Sequence, residues 1–397
     1  MKYNFDEQIN RYGSNCVKWD LMSKVYGESA NEDALALWVA DMDFATPEVI
    51  RHAVAKRLEH PVLGYSYPGD EFFATAVDWI KRRYNWQIEK DWISFSPGVV
   101  PALNLAILAA SEPGDSIVSL TPVYTPFRVV AENNDRKFLA CDLDLDENLH
   151  AEINFEKLES MLDETCKILM LCSPHNPCGR VWTKEELSKL GEIAVRHDLL
   201  ILADEIHADF IYSGHEHHSI AALDERFSER SITCYAPSKT FNMAGLSASV
   251  IVIPNAELKE KFDTYKQKLR YGGNLFAYPA LVAAWSEAED WLDELIQYLE
   301  DNRDYLYAEL SQDKYLIKPN KPEGTYLLWL DCRELMQSKA LADDAALCEY
   351  FVKEGGLALN RGLAYGEAAS GFMRLNYACP RATLKEAVLR LEKIAAR

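Results

Sequence analysis

The chain has 397 residues, of which 48% are hydrophobic, and its 42 lysines and arginines against 62 aspartates and glutamates give a formal net charge of −20 at pH 7. This length predicts two or three domains, or one large α/β domain with an appendage. The acidity argues against nucleic acid and anionic membranes as partners, because basic surfaces bind both. No apolar run approaches the roughly 20 residues of a membrane span, and residues 1–8 contain no apolar secretory signal.

The nine cysteines include no Cys-x-x-Cys pair, and Cys172 and Cys234 lie in or beside apolar, strand-like runs. This pattern indicates mostly buried free thiols in a reducing compartment, so we expect a cytoplasmic protein. The sequence His215-Glu-His-His218 lies in a polar turn without a matching ligand cluster. We therefore expect a surface loop there rather than a metal site.

The first quarter of the chain predicts helices and one glycine turn. Thr46 and Pro47 have the pattern of an N-cap and a first helical residue, and residues 71–84 are amphipathic. A strand that begins at residue 92 runs into Gly98, and an apolar helix follows over 102–110. Gly98 therefore predicts either a plain β–α turn or a phosphate site at a helix N-terminus.

The middle of the chain predicts a parallel sheet. Apolar strands at 167–172 and 199–203 flank a helix that starts at a Thr183–Glu186 capping box. Strand, helix and strand within about 40 residues form a βαβ unit. Further apolar strands at 116–120, 232–235 and 249–253 extend this sheet.

The pattern changes after residue 279. Long amphipathic stretches over 281–310 are followed by strands at 324–330 and 371–376 and by a final helix with a Thr383-x-x-Glu386 capping box. We therefore predict a large domain of residues 46–285, and a small domain formed by residues 1–45 and 286–397.

Chemically notable residues follow the predicted strands, and ligands of parallel sheets bind beyond the carboxyl ends of the strands. Tyr124, Asn176 and Asp204 follow three strands, and Lys239 lies in a Ser-Lys-Thr turn after a fourth. Lys239 is either a solvated loop residue, or a nucleophile or base with a lowered pKa. Asp204 is either a helix N-cap or a buried charge that needs a cationic partner.

Arg374 lies inside an apolar strand and needs an anionic partner, which is either a structural carboxylate or a substrate. A lysine for a Schiff base, a carboxylate for a pyridinium nitrogen, a helix N-terminus for a phosphate, an aromatic ring and an arginine for a substrate carboxylate fit one ligand. Together they describe an enzyme that uses pyridoxal 5'-phosphate (PLP).

On these residues the chain resembles PLP enzymes of the aspartate-aminotransferase-like fold, fold type I, and in particular the cystathionine β-lyase or C–S lyase group of MalY and PatB proteins. The resemblance covers essentially the whole chain. Its motifs are Trp38-Val-Ala-Asp-Met-Asp-Phe44, Gly64-Tyr-Ser66, Ser173-Pro-His-Asn-Pro-Cys-Gly-Arg180, Ala203-Asp-Glu-Ile-His207, Ser238-Lys-Thr-Phe-Asn242, Ala364-Tyr-Gly366 and Met373-Arg-Leu-Asn-Tyr-Ala-Cys-Pro380. It implies an α/β fold with a mainly parallel, seven-stranded type of sheet flanked by helices, plus a smaller α+β domain.

The resemblance also implies a role for each candidate residue. Lys239 would hold PLP covalently and act as the catalytic base, while Asp204 pairs with the pyridine nitrogen. The other implied cofactor contacts are Tyr124 on the ring, Asn176 near the ring oxygen, His207 where many aminotransferases have tyrosine, and Gly98, Val99, Val100 and Ser238 on the phosphate. Tyr65 would reach the phosphate of a neighbouring subunit, which implies a homodimer with shared sites. Substrate would contact Arg374, Asn176 and Ala40.

The chain departs from the wider aminotransferase pattern at two positions around the lysine. Aminotransferases commonly have a serine three residues before it and an arginine eight residues after it, and here these are Ala236 and Ser247. Part of the phosphate contact therefore has no assigned residue.

The implied reaction is α,β-elimination on cystathionine, cysteine or other S-substituted cysteines, which yields pyruvate, ammonia and a thiol. A PLP-dependent aminotransferase is the alternative, because the placement of Lys239, Asp204 and Arg374 does not separate the two. A non-catalytic regulator that retains the fold is a third interpretation. The acidic charge and the lack of a basic helix-turn-helix disfavour it as a DNA-binding protein.

Overall fold

A computed structural model describes residues 2–27, 30 and 33–397, and its centre is a seven-stranded sheet. The strands in chain order are Ile93–Ser96 (β1), Ser116–Thr121 (β2), Lys137–Asp142 (β3), Cys166–Cys172 (β4), Leu200–Asp204 (β5), Ser231–Tyr235 (β6) and Ser249–Val252 (β7). Their order across the sheet is β1-β7-β6-β5-β4-β2-β3, and β7 alone among them runs antiparallel to its neighbours. The predicted α/β fold with a mainly parallel, seven-stranded sheet is confirmed.

Helices cover both faces of this sheet, so its central strands are buried on both sides and consist of apolar runs. The helix Val99–Ala110 packs against β5, β6 and the helix Ala256–Lys268, whereas the helix Lys184–Arg196 contacts β5. The remaining helices of eight or more residues before residue 311 are Glu48–Leu58, Asp70–Tyr84, Pro126–Asn133, Ala277–Glu287 and Glu289–Leu310. In the described part of the chain, no helix is long and apolar enough to cross a membrane.

A second, antiparallel sheet follows. Its strands are Lys318–Pro319 (β8), Leu327–Asp331 (β9), Asn360–Arg361 (β10) and Phe372–Asn376 (β11), in the order β8-β9-β11-β10, and the helices beside it are Arg333–Ser338, Asp344–Gly355 and Arg381–Ala395. Residues near the N-terminus reach this half of the molecule, because Leu35–Ala36 pairs in parallel with Leu357–Ala358. The domain limits stay a prediction, and residue 285 lies inside the helix Ala277–Glu287.

Two of the three predicted helix caps differ in the structure. The capping box of Thr183 and Glu186 is present. Thr46 is not an N-cap, because the helix starts at Glu48 and the Thr46 hydroxyl donates instead to the Asn242 carbonyl at 2.8 Å. The last helix starts after Pro380, which places Thr383 within its first turn and removes it from the cap position.

A buried ion cluster ties the N-terminal residues to residues 41–43. The side chain of Lys18 is fully buried, and its Nζ lies 2.8 Å from Asp43 Oδ2. Arg11 donates to Asp41 at 2.6 Å and to Asp43 at 2.7 Å. Burial would raise the pKa of Asp43, but the charge of Lys18 and the hydrogen bonds outweigh it and hold that pKa below its usual value. Two cations and two carboxylates thus neutralise one another.

We expect Asp43→Asn to lower the free energy of unfolding by about 3 kcal/mol, because it removes the carboxylate next to the buried Lys18. Urea denaturation at pH 7 measures this loss. The pKa of Asp43 is lowered on folding, so its contribution is present above the ordinary carboxyl pKa of about 3.9 and is lost as the pH falls through the folded value. Glu257→Gln, which removes an exposed pair with Lys261, is the control and should leave the midpoint unchanged. Equal midpoints for both variants would contradict the argument.

Candidate active site

The predicted residues meet at one edge of the large sheet. Gly98 follows β1, Tyr124 follows β2, Asn176 follows β4, Asp204 ends β5, and Lys239 follows β6. These five strands are parallel, so all five residues lie at their carboxyl edge. Arg374 arrives from β11 of the second sheet and donates from Nη1 to Asn176 Oδ1 at 3.2 Å.

Lys239 lies in the four-residue helix Pro237–Thr240, directly after β6. Its Nζ donates to the carbonyl oxygen of Ala40 at 2.6 Å. Burial lowers the pKa of Lys239 to about 8; the charge of Arg374 also lowers it, and nearby carboxylates oppose the shift. Roughly a tenth of such a lysine is neutral at pH 7, against less than about one in a thousand for an ordinary lysine of pKa about 10.4. The structure therefore favours a nucleophile or base over a solvated loop residue.

Asp204 is buried at the end of β5, and its Oδ1 accepts the backbone N–H of Ile206 at 3.1 Å. Residues 206–209 form a turn, so Asp204 does not cap a helix. Burial raises the pKa of Asp204 to about 7, while the Ile206 N–H and the positive charge of Lys239 act in the opposite direction. A carboxyl group in this state ionises readily once a further cation, such as a protonated ring nitrogen, lies beside it.

Arg374 is a buried cation whose partners are neutral. Besides Asn176, its Nη2 donates to the Trp38 carbonyl at 2.6 Å, and its guanidinium carbon lies 5.2 Å from the centre of the Tyr365 ring. Within residues 2–27, 30 and 33–397 it has no carboxylate partner, and its buried Nε has no hydrogen-bond acceptor. The structural salt bridge considered for Arg374 is therefore not found there, and the site suits an anionic ligand.

His207 is buried beside the lysine and is neutral, because burial lowers the pKa of its ring to about 3. Its Nδ1 has no partner among the described residues, and its ring centre lies 5.7 Å from that of Tyr326. The Tyr326 hydroxyl donates to the Ala40 carbonyl at 2.9 Å, so Ala40 accepts hydrogen bonds from both Tyr326 and Lys239. Tyr326 was not predicted, because residues 324–330 have the pattern of a plain apolar strand.

The predicted phosphate contacts are only partly assembled within one chain. Gly98, at φ 154°, precedes the helix Val99–Ala110, so the N–H groups of Val99 and Val100 belong to its first turn and lack intrahelical acceptors. Ser238 is half-buried, one residue before Lys239. Tyr65 has a relative exposure of 111%, so it adds nothing to the site of its own chain.

Residues 38–44 cross the site, and side chains from three other segments fix their backbone; of these side chains, only Arg374 was predicted as a site residue. Asn360 and Arg374 donate to the carbonyl of residue 38, Asn376 donates to those of residues 39 and 41, and Asn242 donates to those of residues 42 and 44, all at 2.6–2.9 Å. Asn242 and Asn376 lie inside motifs that carry the resemblance. Asn242 closes its motif and Asn376 ends the apolar strand of Arg374, and an asparagine at such a position is the signal that could have identified them.

We expected the histidines at 215–218 to lie in a surface loop, but one of them is buried. His217 is buried, and its Nε2 lies 2.9 Å from Glu205 Oε2. The expectation of a surface loop is therefore wrong for this residue, whose ring fills a buried polar cluster. Among the described residues, no group of three or more histidine, cysteine, aspartate or glutamate side chains is placed to hold a metal ion.

The polar groups gathered here fit a ligand with a carbonyl group, an aromatic ring nitrogen and anionic groups, as PLP and an amino acid together present. They are the Lys239 amine, the Asp204 carboxyl, Arg374 Nε and His207 Nδ1, which have no partner in the described part of the chain, and the N–H groups after Gly98.

Comparison with known proteins decides the family. The sequence matches the family described as aminotransferase class I and II over residues 32–391. The chain belongs to this family. It is 42% identical over 391 residues to cystathionine beta-lyase PatB of Bacillus subtilis (strain 168), covering 98% of this chain and 99% of the relative.

Two solved structures are closely similar. Cystalysin from Treponema denticola, which contains PLP, has a TM-score of 0.93 at 35% identity, with 99% of both chains covered. The PLP-bound C–S lyase from Staphylococcus hominis has a TM-score of 0.91 at 31% identity, with 98% of this chain and 97% of that chain covered. The predicted fold type I and the resemblance to the cystathionine β-lyase and C–S lyase group are confirmed.

The lowered pKa of Lys239 predicts how its reactivity depends on pH. In protein freed of any bound PLP, acylation of Lys239 should rise about tenfold per pH unit up to about pH 8 and then level off, since only the neutral amine reacts. Peptide mass spectrometry after brief labelling measures this profile. Exposed lysines, whose pKa is ordinarily about 10.4, should still be rising above pH 9. A Lys239 profile that also keeps rising there would contradict the assignment.

Proposed function

We propose that this protein is a PLP-dependent carbon–sulfur lyase that catalyses α,β-elimination on cystathionine, cysteine or other S-substituted cysteines. The products are pyruvate, ammonia and a thiol. The observation that carries the proposal is a lysine whose pKa is lowered by burial, near an arginine whose Nε has no acceptor among the described residues. The choice of lyase is supported by the 42% identity to a protein named cystathionine beta-lyase.

The cofactor is PLP, as in the similar solved structures. We assign its covalent attachment to Lys239 and its ring nitrogen to Asp204, which is ionised when a cation faces it. The other contacts that we propose are Tyr124 and His207 on the ring, Asn176 near the ring oxygen, and Gly98, Val99, Val100 and Ser238 on the phosphate. When bound, PLP takes up the negative charge that develops at the substrate Cα.

Arg374 orients the substrate. Its Nε has no acceptor among the described residues, so a carboxylate can bind it without displacing the hydrogen bonds to Asn176 and Trp38. Asn176 fixes the guanidinium plane, so the α-carboxylate is bound in a defined plane. The amino acid is thus held by its α-carboxylate while its Cα faces Lys239.

Lys239 would be released as a free amine when the substrate's amino group takes its place on the cofactor, and it then takes the Cα proton. The ammonium that results donates to the Ala40 carbonyl, which lies 2.6 Å from Nζ. That acceptor stabilises the protonated lysine and favours the transfer. Breaking of the Cβ–S bond leaves a thiolate, and the proton on Lys239 can pass to that sulfur. Water then divides the remaining fragment into pyruvate and ammonia.

An aminotransferase remains the second candidate, because the family description names that activity. Lys239, Asp204 and Arg374 would serve both reactions. They differ in the need for a second substrate, since a transaminase returns its amino group to an acceptor keto acid. A non-catalytic regulator is a third candidate, and it would retain the fold without turning over either substrate.

Incubation of the purified protein with L-cystathionine should release pyruvate and free thiol in equal amounts without any added keto acid. Lys239→Ala should lose the protein-bound chromophore and at least about a hundredfold in rate, because the base is removed. The control Lys339→Ala, at an exposed position, should behave like the unmodified protein. Keto acid formed only with an added acceptor would reject the lyase, and absence of cofactor absorbance would reject both enzymes.

We further propose a homodimer in which Tyr65 reaches the phosphate of the neighbouring subunit. Residues 58–67 support it, because they join two helices and expose a series of apolar side chains that the chain itself does not cover. These are Leu58 at 57% exposure, Val62 at 61%, Leu63 at 56%, Tyr65 at 111% and Tyr67 at 81%. Exposed apolar patches of this kind are typical of protein interfaces.

Light scattering after gel filtration should give twice the chain mass of 45.1 kDa. The double variant Val62→Asp, Leu63→Asp should shift it to the single chain mass, because two charges would have to be buried in the interface. Leu389→Asp is the matched control, since Leu389 is 62% exposed on the last helix and should not affect assembly. A monomeric unmodified protein would contradict the homodimer.

The cytoplasmic location is also part of this proposal. All nine cysteines are free thiols, seven of them buried, which is the state expected in a reducing compartment.

A further inference from the structure

We propose that Arg361 binds an acidic group at the far end of the substrate's S-substituent, so that the enzyme selects S-substituted cysteines whose leaving thiol carries a carboxylate. This inference rests on the lyase function proposed above and specifies its substrate class.

A cavity of about 500 Å³ adjoins the place where Arg374 would hold the α-carboxylate. Tyr26, Trp38, Asn360 and Arg361 are among the residues that line it. Its inner wall is shared with the site, because Asn360 Nδ2 and Arg374 Nη2 donate to the same Trp38 carbonyl, at 2.8 and 2.6 Å. Asn360 also lies directly opposite Arg374 in the pairing of β10 with β11.

Arg361 supplies the net charge of this cavity. Two other charged residues line it, Lys353 and Glu349, and they form an ion pair with each other. Arg361 is exposed and has no ion-pair or hydrogen-bond partner for its side chain in the described parts of the chain. In a protein with a net charge of −20, an arginine left without a carboxylate is available to a ligand.

Tyr26 lies close enough to both arginines to feel their charges, and its hydroxyl donates to the Leu359 carbonyl at 2.9 Å. Burial raises the pKa of its hydroxyl, and the positive charges of Arg374 and Arg361 both act against that rise. Its ring meets that of Trp38 edge-on, with 5.4 Å between ring centres. The two rings give an apolar wall on which the methylene groups of a substituent can pack between the two cationic ends.

The ligand class follows from these parts. Arg374 takes the α-carboxylate, the chain of the S-substituent lies along Tyr26 and Trp38, and a second carboxylate binds the guanidinium of Arg361 through paired hydrogen bonds. Cystathionine has such a second carboxylate on its leaving thiol. An S-alkylcysteine of the same length fills the apolar wall but leaves Arg361 without a partner.

The test compares S-(2-carboxyethyl)-L-cysteine with S-butyl-L-cysteine on the holoenzyme. Arg361→Gln should raise KM for the carboxyethyl substrate about tenfold with little change in kcat, because a ground-state contact is lost, and should change KM for the butyl substrate less than twofold. Arg361→Lys should restore part of the loss. Lys339→Gln, which removes an exposed charge elsewhere on the second half of the chain, should change neither value.

A binding measurement makes the result independent of turnover. Calorimetry with 2,7-diaminooctanedioate, the methylene analogue of cystathionine without a C–S bond, should show about tenfold weaker binding to Arg361→Gln, whereas 2-aminooctanoate should bind both proteins alike. Equal effects on the acidic and the neutral ligand, or no effect on either, would overturn the role of Arg361. No pyruvate from either cysteine conjugate with the unmodified protein would instead reject the lyase, and the calorimetry would still decide whether Arg361 binds the acidic tail.

Discussion

The structure depends on the backbone carbonyl groups of residues 38–44, which supply acceptors to donors from both halves of the molecule. Asn242 binds this segment from the loop after Lys239, and Asn360, Arg374 and Asn376 bind it from the second sheet. Lys239 itself donates to one of these carbonyls. The position of the reactive amine is therefore set by the same segment that joins the large sheet to the strand carrying the substrate arginine. A shift of either sheet would move the acceptor and the lysine relative to each other.

Burial favours the neutral forms of Lys239 and Asp204 and therefore shifts their pKa values in opposite directions. It lowers the pKa of Lys239 to about 8 and raises that of Asp204 to about 7, so both change charge near physiological pH. Arg374 lowers the pKa of Lys239 further through its positive charge. A substrate carboxylate on Arg374 would offset that charge, so substrate binding itself would make the lysine a stronger base at the moment when it has a proton to remove.

Local patterns in the sequence were sufficient for most of the fold. The apolar strands around the Thr183 capping box predicted parallel pairing, and the residues at their ends predicted which side chains would meet. The antiparallel direction of β7 was not predicted, because an apolar run of four residues reads the same in either direction. The prediction of an N-cap at Thr46 was wrong because the Thr46 hydroxyl donates to the carbonyl of a residue 196 positions away.

The same limit applies to the site. Asp204 and Arg374 are charged residues of apolar strands and Lys239 closely follows one, and a charge so placed is visible as an anomaly in the sequence. Tyr326 and the asparagines act through hydrogen bonds to backbone carbonyls up to 337 positions away, and no periodicity records such contacts. Polar residues that form hydrogen bonds to distant backbone groups are therefore the part of a site that cannot be predicted from a single sequence.

The buried ion cluster near the N-terminus has an acid–base consequence for residues that it does not touch. The negative charge of Asp41 raises the pKa of Lys239, and Arg11 pairs with Asp41. The charge on Arg11 thus limits how strongly Asp41 favours the protonated lysine. The N-terminal region thus influences the pH range over which Lys239 is neutral. Charge changes at position 11 would shift the pKa of Lys239 without altering any residue that contacts the substrate.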